Sequence, residues 1–197
     1  MVRGSKFDPA EFVDAALLLL SEGGPSAVTM SAIARCCGAP TGSIYHRFPS
    51  RSAVVAAAWL RALTDFAGQV EAALESGAAT ALVAWSRSHP REARALFLNA
   101  PADLFDTAPP EALSAAIRAQ EARIEAAFDG RLEAAPGPRR AEAFARLRFA
   151  VIDGPVALIR PYLQTGEVIP AFVDGVAESL GRVIVTRRPQ PQRAAAE

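Results

Sequence analysis

Three side chains that can donate hydrogen bonds to phosphate oxygens lie close together in the sequence. Tyr45, His46 and Arg51 carry a hydroxyl, a ring N–H and a guanidinium, groups that proteins use to hold the sugar-phosphate backbone of DNA. The formal net charge of the chain is +0, yet no Asp or Glu occurs from Gly23 through Thr64. A locally basic stretch in a neutral chain is typical of a surface that faces an anion. Taken singly, Tyr45 fits a core position and His46 an ordinary surface position equally well.

Two short helices must position these donors. Thr29 can cap the first helix, which ends at Gly38, a residue that readily takes the positive φ of a sharp turn. The second helix runs from about Pro40 to Arg47. Ile44 and Phe48 lie one helical turn apart, so they can anchor this helix to the core. Two helices joined in this way predict a helix-turn-helix, whose second helix enters the major groove of DNA with its N-terminal residues nearest the base edges.

The N-terminal end of this second helix is built from small residues. Thr41, Gly42 and Ser43 allow the helix to approach the groove floor closely. Pro40, beside them, supplies neither a side-chain cap nor a hydrogen bond to a base. This half of the helix has no Arg, Lys, Asn or Gln, the residues that usually bind a base through two hydrogen bonds. Specificity for a DNA sequence is therefore expected to rest on hydrogen bonds from Thr41 and Ser43, on contacts with methyl groups and on DNA shape.

The segment from Asp8 to about Trp59 resembles the DNA-binding domain of the TetR (tetracycline repressor) family of bacterial regulators. The matching elements are Thr29 opening the second helix, Ile33 and Ala34 within it, Gly38 at the turn, the run from Gly42 to Phe48, and Ser50 with Arg51 beyond it. The rest of the chain is similar to the family only in helical plan and length. The resemblance implies phosphate contacts from Thr29, Tyr45, His46 and Arg51, and contacts to base edges from Ala39, Pro40, Thr41, Gly42 and Ser43.

Helix signals extend through the whole chain. Asp8, Pro9 and Glu11 mark the start of the first helix, the run Gly23 to Pro25 its end, and Ser50 the cap of a long fourth helix. The sequence is 51% hydrophobic and only 7% aromatic, and it lacks sustained period-two alternation. We therefore expect an all-α fold. It consists of a three-helix helix-turn-helix DNA-binding domain over residues 1–52, a helical ligand-binding and dimerisation domain over residues 53–186, and a disordered tail over residues 187–197.

Two late segments have apolar patterns suited to subunit pairing. Between Ala141 and Leu163 a predicted helix carries two adjacent apolar stripes, so it must be covered from two sides. A second amphipathic helix extends from Ile169 to Ile184. The resemblance implies a two-fold dimer formed by a four-helix bundle of the last two helices, and these segments fit it. The alternative is the ordinary core of a monomer.

Large side chains in the middle helices are candidates for a ligand pocket, because the resemblance implies a pocket for an apolar or amphipathic small molecule. The expected pocket residues are Trp59, Phe66, Trp85, Phe97, Asp103, Phe105, Phe128 and Asp153. The alternative for each aromatic side chain is that it packs against its neighbours in a filled core. Asp153 precedes Gly154 and Pro155, so it could line a cavity or cap the helix after a proline kink.

Other classes of function have no motif in the sequence. The two cysteines, Cys36 and Cys37, are adjacent, which argues against a disulfide framework and favours buried packing groups. The sequence has no metal-ligand pattern, phosphate loop or catalytic constellation, so we expect no metal, no cofactor and no enzyme activity. No apolar run is long enough to span a bilayer, so we expect a cytoplasmic protein without a membrane partner.

The expected function is therefore transcriptional regulation. The favoured form is a repressor that binds a palindromic double-stranded DNA operator as a homodimer and is released by a small apolar effector. Control by a protein partner and activation instead of repression are the alternatives, and an enzyme built on a helical bundle is a third hypothesis.

Overall fold

The computed structural model describes residues 7–132 and 138–186. Every regular element in these two ranges is helical, which confirms the all-α prediction. The α-helices are α1 (Pro9–Ala27), α2 (Met30–Cys36), α3 (Thr41–Tyr45), α4 (Arg51–Ser76), α5 (Ala81–Ser88), α6 (Pro90–Leu98), α7 (Glu111–Arg131), α8 (Pro138–Arg148), α9 (Gly154–Thr165) and α10 (Phe172–Thr186), with a 3₁₀ turn at Pro101–Asp103 and a π turn at Phe149–Asp153. No helix formed by the described residues is long and apolar enough to pass through a bilayer. The predicted tail over residues 187–197 lies outside the described residues.

The ends of α1 follow the capping signals of the sequence. The Asp8 carboxylate accepts a hydrogen bond from Ala10 N (2.9 Å), and Glu11 Oε2 accepts one from Asp8 N (3.3 Å), which together form a capping box. Near its end α1 is broken at Gly24, whose φ of 68° and ψ of −169° are not helical. The residues from Pro25 onward therefore form a separate turn, and the predicted stop of the first helix is confirmed.

Helix α4 connects the N-terminal helices to the rest of the protein. It begins after Ser50, whose Oγ accepts a hydrogen bond from Ala53 N (3.2 Å), and it continues to Ser76. Helices α1, α5, α6 and α7 all pack against it, and its buried side chains belong to the same apolar core as Phe12 of α1. The predicted domain boundary between residues 52 and 53 consequently falls in the first turn of one continuous helix.

The single helix expected between Ala141 and Leu163 is instead α8 and α9 with the π turn between them. Pro155, in the first turn of α9, has no N–H to donate to the preceding helical turn, so a regular α-helix cannot continue unchanged through it. Asp153 does not cap α9. Its carboxylate lies 3.4 Å from Arg148 Nε. The interpretation of Asp153 as a helix cap was therefore wrong.

Arg87 of α5 holds the connection between α9 and α10. Its guanidinium donates hydrogen bonds to both carboxylate oxygens of Asp174 (2.9 Å each), to the Ile169 carbonyl oxygen (3.1 Å) and to the Pro170 carbonyl oxygen (2.9 Å). A charged guanidinium makes hydrogen bonds to a carboxylate that are stronger than those between neutral groups. The start of α10 is thereby fixed against the body of the protein.

Candidate functional site

Helix α3 occupies the position of the recognition helix, the second helix of the helix-turn-helix. Gly38 makes the turn before it with a φ of 61°, as the sequence predicts, and Ala39 N donates a hydrogen bond to the Ala34 carbonyl oxygen (2.9 Å). Ile44 is 0% exposed and Phe48 packs against the core. These two side chains attach α3 to the core, so the anchoring role expected of them is confirmed.

The other side of the recognition helix is open. Pro40, Thr41 and Gly42 are exposed, and a Cβ added at Gly42 would meet nothing within 4 Å. Pro40 precedes α3 without any side-chain cap hydrogen bond, as expected of a proline. The neighbouring residues Ala39 and Ser43 are half-buried. Backbone and small side chains at the start of α3 can therefore come close to another molecule.

The donors expected to hold phosphate are exposed, with one exception. Tyr45 is 55% exposed, and His46 and Arg47 are exposed beside it. Thr29 is exposed and caps α2, with its Oγ1 accepting a hydrogen bond from Ala32 N (3.1 Å). An accepting hydroxyl still has its own hydrogen to donate, so capping and phosphate binding by Thr29 are compatible.

Arg51 is the exception. Its Nε donates to the Val28 carbonyl oxygen (2.6 Å), Nη1 donates to that of Leu104 (3.1 Å), and Nη2 donates to that of Pro25. Nη1 also lies 2.9 Å from Asp106 Oδ2, and the side chain is only 17% exposed. These contacts use all but one of the five N–H groups of a guanidinium. The expected phosphate contact does not agree with this placement, because the donors are already bound inside the protein.

The contacts of Arg51 join three segments, and we call this set of contacts the Arg51 joint. Pro25 lies in the last turn of α1, after the break at Gly24, and Val28 lies in the connection to α2. Arg51 starts α4, and Leu104 and Asp106 belong to the segment before α7. The joint therefore ties the helix-turn-helix to the larger helical body at the first residue of the helix that they share. No signal in the sequence pointed to this role, since three of the acceptors are backbone carbonyls that any residue type would supply.

The aromatic residues expected to line a ligand pocket instead fill the core. The ring centroid of Phe66 lies 5.6 Å from that of Trp85 and 5.4 Å from that of Phe97, and the centroids of Trp85 and Phe97 are 6.1 Å apart. The indole N–H of Trp85 donates to Asp65 Oδ2 (2.7 Å), so its polar atom is satisfied as well. Rings at these separations occupy the space between them, which favours the packed alternative over an open pocket at this place.

The other expected pocket residues are dispersed. Trp59 is buried in α4, Phe105 packs against the core from the segment before α7, and the ring centroid of Phe128 lies 5.5 Å from that of Phe144. Asp103 is exposed on the 3₁₀ turn, and Asp153 is exposed on the π turn. None of the eight residues lines the apolar concavity at the C-terminal end of α4, so the structure does not bring them together into one site.

Side chains suited to metal or redox chemistry are not clustered in the described ranges. No group of three or more His, Cys, Asp or Glu residues there could hold a metal ion. The Cys37 thiol donates a hydrogen bond to the Glu11 carbonyl oxygen (3.4 Å), and burial, together with the negative charges of its neighbours, raises its pKa. A thiol with a raised pKa reacts slowly, which agrees with a packing role for half-buried Cys37. Cys36 is exposed, so the expectation that it is a buried packing group was wrong.

Comparisons with known proteins agree with this geometry. Residues 12–58 match the family model described as bacterial regulatory proteins of the tetR family. The fold is similar to FadR from Bacillus subtilis, solved in complex with stearoyl-CoA, with a TM-score of 0.64 and 15% identity over 91% of this chain and 98% of that chain. It is also similar to a protein from Shewanella sp. PV-4 assigned to the tetR family of transcription regulators, with a TM-score of 0.59 and 16% identity over 88% of this chain and 95% of that chain. No curated protein matches the sequence.

The matched segment contains α2, α3 and the start of α4, which are the elements that form the helix-turn-helix and its joint to the body. The structural similarity extends this agreement to the helical architecture of the remainder. Residues 12–58, which carry the open recognition helix, therefore form a segment of the type found in bacterial regulatory proteins of the tetR family.

Proposed function

We propose that the protein is a cytoplasmic repressor that binds a palindromic operator as a homodimer and is released by a small apolar effector. In this proposal residues 1–52 bind DNA and residues 53–186 bind the effector and the second subunit. The observation that carries it is the short, open recognition helix. At a rise of about 1.5 Å per residue, its five residues extend only about 8 Å along the groove. Two copies on a symmetric site would double the contacts.

An exposed apolar surface supports the dimer. Four large apolar side chains between the π turn and α10 are exposed, and we call them the apolar face. They are Phe149 at 43%, Val168 at 85%, Phe172 at 65% and Val176 at 42%. Phe172 and Val176 lie one turn apart on α10, whose start is fixed by Arg87. Neighbouring exposed apolar residues such as Phe172 and Val176 support an interaction surface, and a second copy of α9 and α10 would cover it.

A charge placed on the apolar face is expected to prevent dimer formation. In Val176→Glu a carboxylate would be buried without a partner at the interface, and self-association is expected to weaken by about 100-fold or more. Sedimentation velocity over a range of protein concentrations measures this change. Ala126→Glu places the same charge at an exposed position of α7, away from the apolar face, and should leave the association unchanged. Dimerisation of the Val176→Glu variant at the strength of the parent protein would contradict the assignment of this surface.

Repression and effector release are the simplest regulatory mode for such a molecule. A protein that occupies a promoter represses without any further contact, and an effector that prefers another conformation lowers operator affinity by its differential binding energy. FadR from Bacillus subtilis, with a similar fold, was solved with stearoyl-CoA, which supports a small-molecule effector. Native mass spectrometry of the purified protein tests this point, because a protein-controlled regulator would carry no co-purified ligand. Transcription assays in vitro separate repression from activation.

DNA selection with a matched variant tests the interface itself. We expect sites selected from random DNA at a stated salt concentration to be palindromic, with half-sites about one helical turn apart. Replacing Tyr45 and His46 together with alanine should lower affinity about 10- to 100-fold for all sequences alike, since phosphate contacts carry no base information. Both side chains are exposed, so the fold should be retained. Replacing exposed Arg91 of α6 provides the control, and equal affinity of the double variant and the parent would disprove this interface.

A further inference from the structure

A concavity of about 460 Å³ lies at the end of the protein where α4 stops. It is bounded by the last turn of α4, the connection to α5, the end of α7, the π turn and α10. Leu74, Leu147, Ala150 and Val151 give it a largely apolar wall. This volume is within the range of small-molecule sites, and such sites combine apolar walls with a few polar groups.

Local sequence explains why this space is open. Helix α4 ends at Gly77, which has a φ of 70°, and two alanines follow it. On the opposite wall Gly181 of α10 approaches so closely that a Cβ added there would lie 2.6 Å from the Ala79 Cβ. The two segments are therefore in contact at the base of the concavity, while the small side chains around it leave the remaining volume unfilled. A π turn is often found beside a functional site, and here Ala150 and Val151 of the π turn supply part of the wall.

Charged side chains at the rim give the concavity a preference for a ligand with one negative charge. Arg131, the last residue of α7, lines it and has no carboxylate partner among the residues that the structure describes. Arg182 also lines the concavity, and Glu178 is the one acidic residue in its lining. The C-terminal end of α4 adds a partial negative charge, which is smaller than the full charge of a guanidinium. The balance favours a single negative charge, because a polyanion would be repelled by Glu178.

We propose that this concavity binds an amphipathic monoanion, such as an aliphatic carboxylate, with its alkyl chain between Leu74 and Val151 and its carboxylate on Arg131. This inference deepens the proposed function and rests on it for the regulatory consequence, since it names the chemical class of the effector. The rings of Phe66, Trp85 and Phe97 instead pack against one another.

The position of the concavity links it to the DNA-binding end. Helix α4 has its last turn in the wall of the concavity and its first residue, Arg51, in the Arg51 joint. Its 26 residues extend about 39 Å. Glu178 lies about 200° around α10 from exposed Val176, so on α10 the concavity and the apolar face lie on different sides of the helix. A ligand that separates α4 from α10 would act on the helix that positions both recognition units.

Calorimetric titration of the full chain with octanoate, below its micelle concentration, and with octanol tests this site without DNA. The parent protein should bind octanoate about tenfold or more tightly than octanol. Arg131→Gln should remove this preference and leave octanol binding unchanged, whereas Arg118→Gln, on the same helix but outside the concavity, should change neither. Ala78→Phe, which fills the concavity from its rim, should weaken both ligands about tenfold. Thermal unfolding checks that each variant is folded.

The outcomes separate this site from the proposed function. Three results would each overturn the site. They are failure of octanoate to bind, an unchanged preference of Arg131→Gln for octanoate over octanol, and an unchanged affinity of folded Ala78→Phe for both ligands. Binding at the site without any loss of operator affinity would retain the site and contradict effector release. Release of the operator by a ligand that does not compete with octanoate would retain effector release and contradict the site.

Discussion

Replacement of Arg51 by alanine is expected to lower the free energy of unfolding by about 2–4 kcal/mol. The substitution leaves the carbonyl oxygens of Pro25, Val28 and Leu104 without their donor, and it removes the partner of Asp106. Removing one side of a largely buried network costs the desolvation of the groups that remain. Urea unfolding measures this loss, which should appear as a lower midpoint with an unchanged slope.

Arg51→Lys and Arg35→Ala are the matched controls. Lysine keeps the charge but cannot reproduce the flat arrangement of donors, so it should restore only part of the stability. Arg35 is exposed at the end of α2 and should contribute within about 0.5 kcal/mol. A phosphate-binding Arg51 would give the opposite pattern: near-normal stability, weaker DNA binding and a salt dependence of binding lowered by about one phosphate contact. That pattern would contradict the Arg51 joint.

Replacement of Gly42 by leucine is expected to separate DNA binding from folding. A Cβ at this position has open space around it, and leucine favours a helix over glycine by about 0.8 kcal/mol, so stability should be kept or slightly raised. The same side chain would stand between the start of α3 and the floor of the groove. Operator affinity should therefore fall about 10- to 100-fold. Fluorescence anisotropy with the selected operator and thermal unfolding measure the two effects.

Gly130→Leu provides the comparison for this effect. Gly130 is also helical and also has nothing within 4 Å of an added Cβ, but it lies in α7, far along the chain from the recognition helix. It should show the same small change in stability and no change in operator affinity. If Gly42→Leu bound the operator as tightly as the parent protein does, the start of α3 would not face the base edges.

The sequence by itself determined the local geometry of the DNA-binding unit. Asp8, Thr29 and Ser50 cap the helices that they were expected to cap, and Gly38 makes the predicted turn. Ile44 is buried as its spacing indicated. These features are readable because caps and turns are made by atoms within about four residues of one another, so the residue types in a short window specify them.

Only the tertiary structure decided what the long-range partners are. The guanidinium of Arg51 is bound inside the protein because it reaches carbonyl oxygens that lie 23, 26 and 53 residues away in the sequence. Every residue has a backbone carbonyl, so the sequence does not indicate which ones will accept these hydrogen bonds. Whether Phe66 and Trp85 enclose a cavity or fill one depends on the separation of their helices, which packing sets. The concavity beside α10 arises in the same way. It exists where small residues from distant segments meet. The positions of small residues in the sequence do not predict which of them will border an unfilled space.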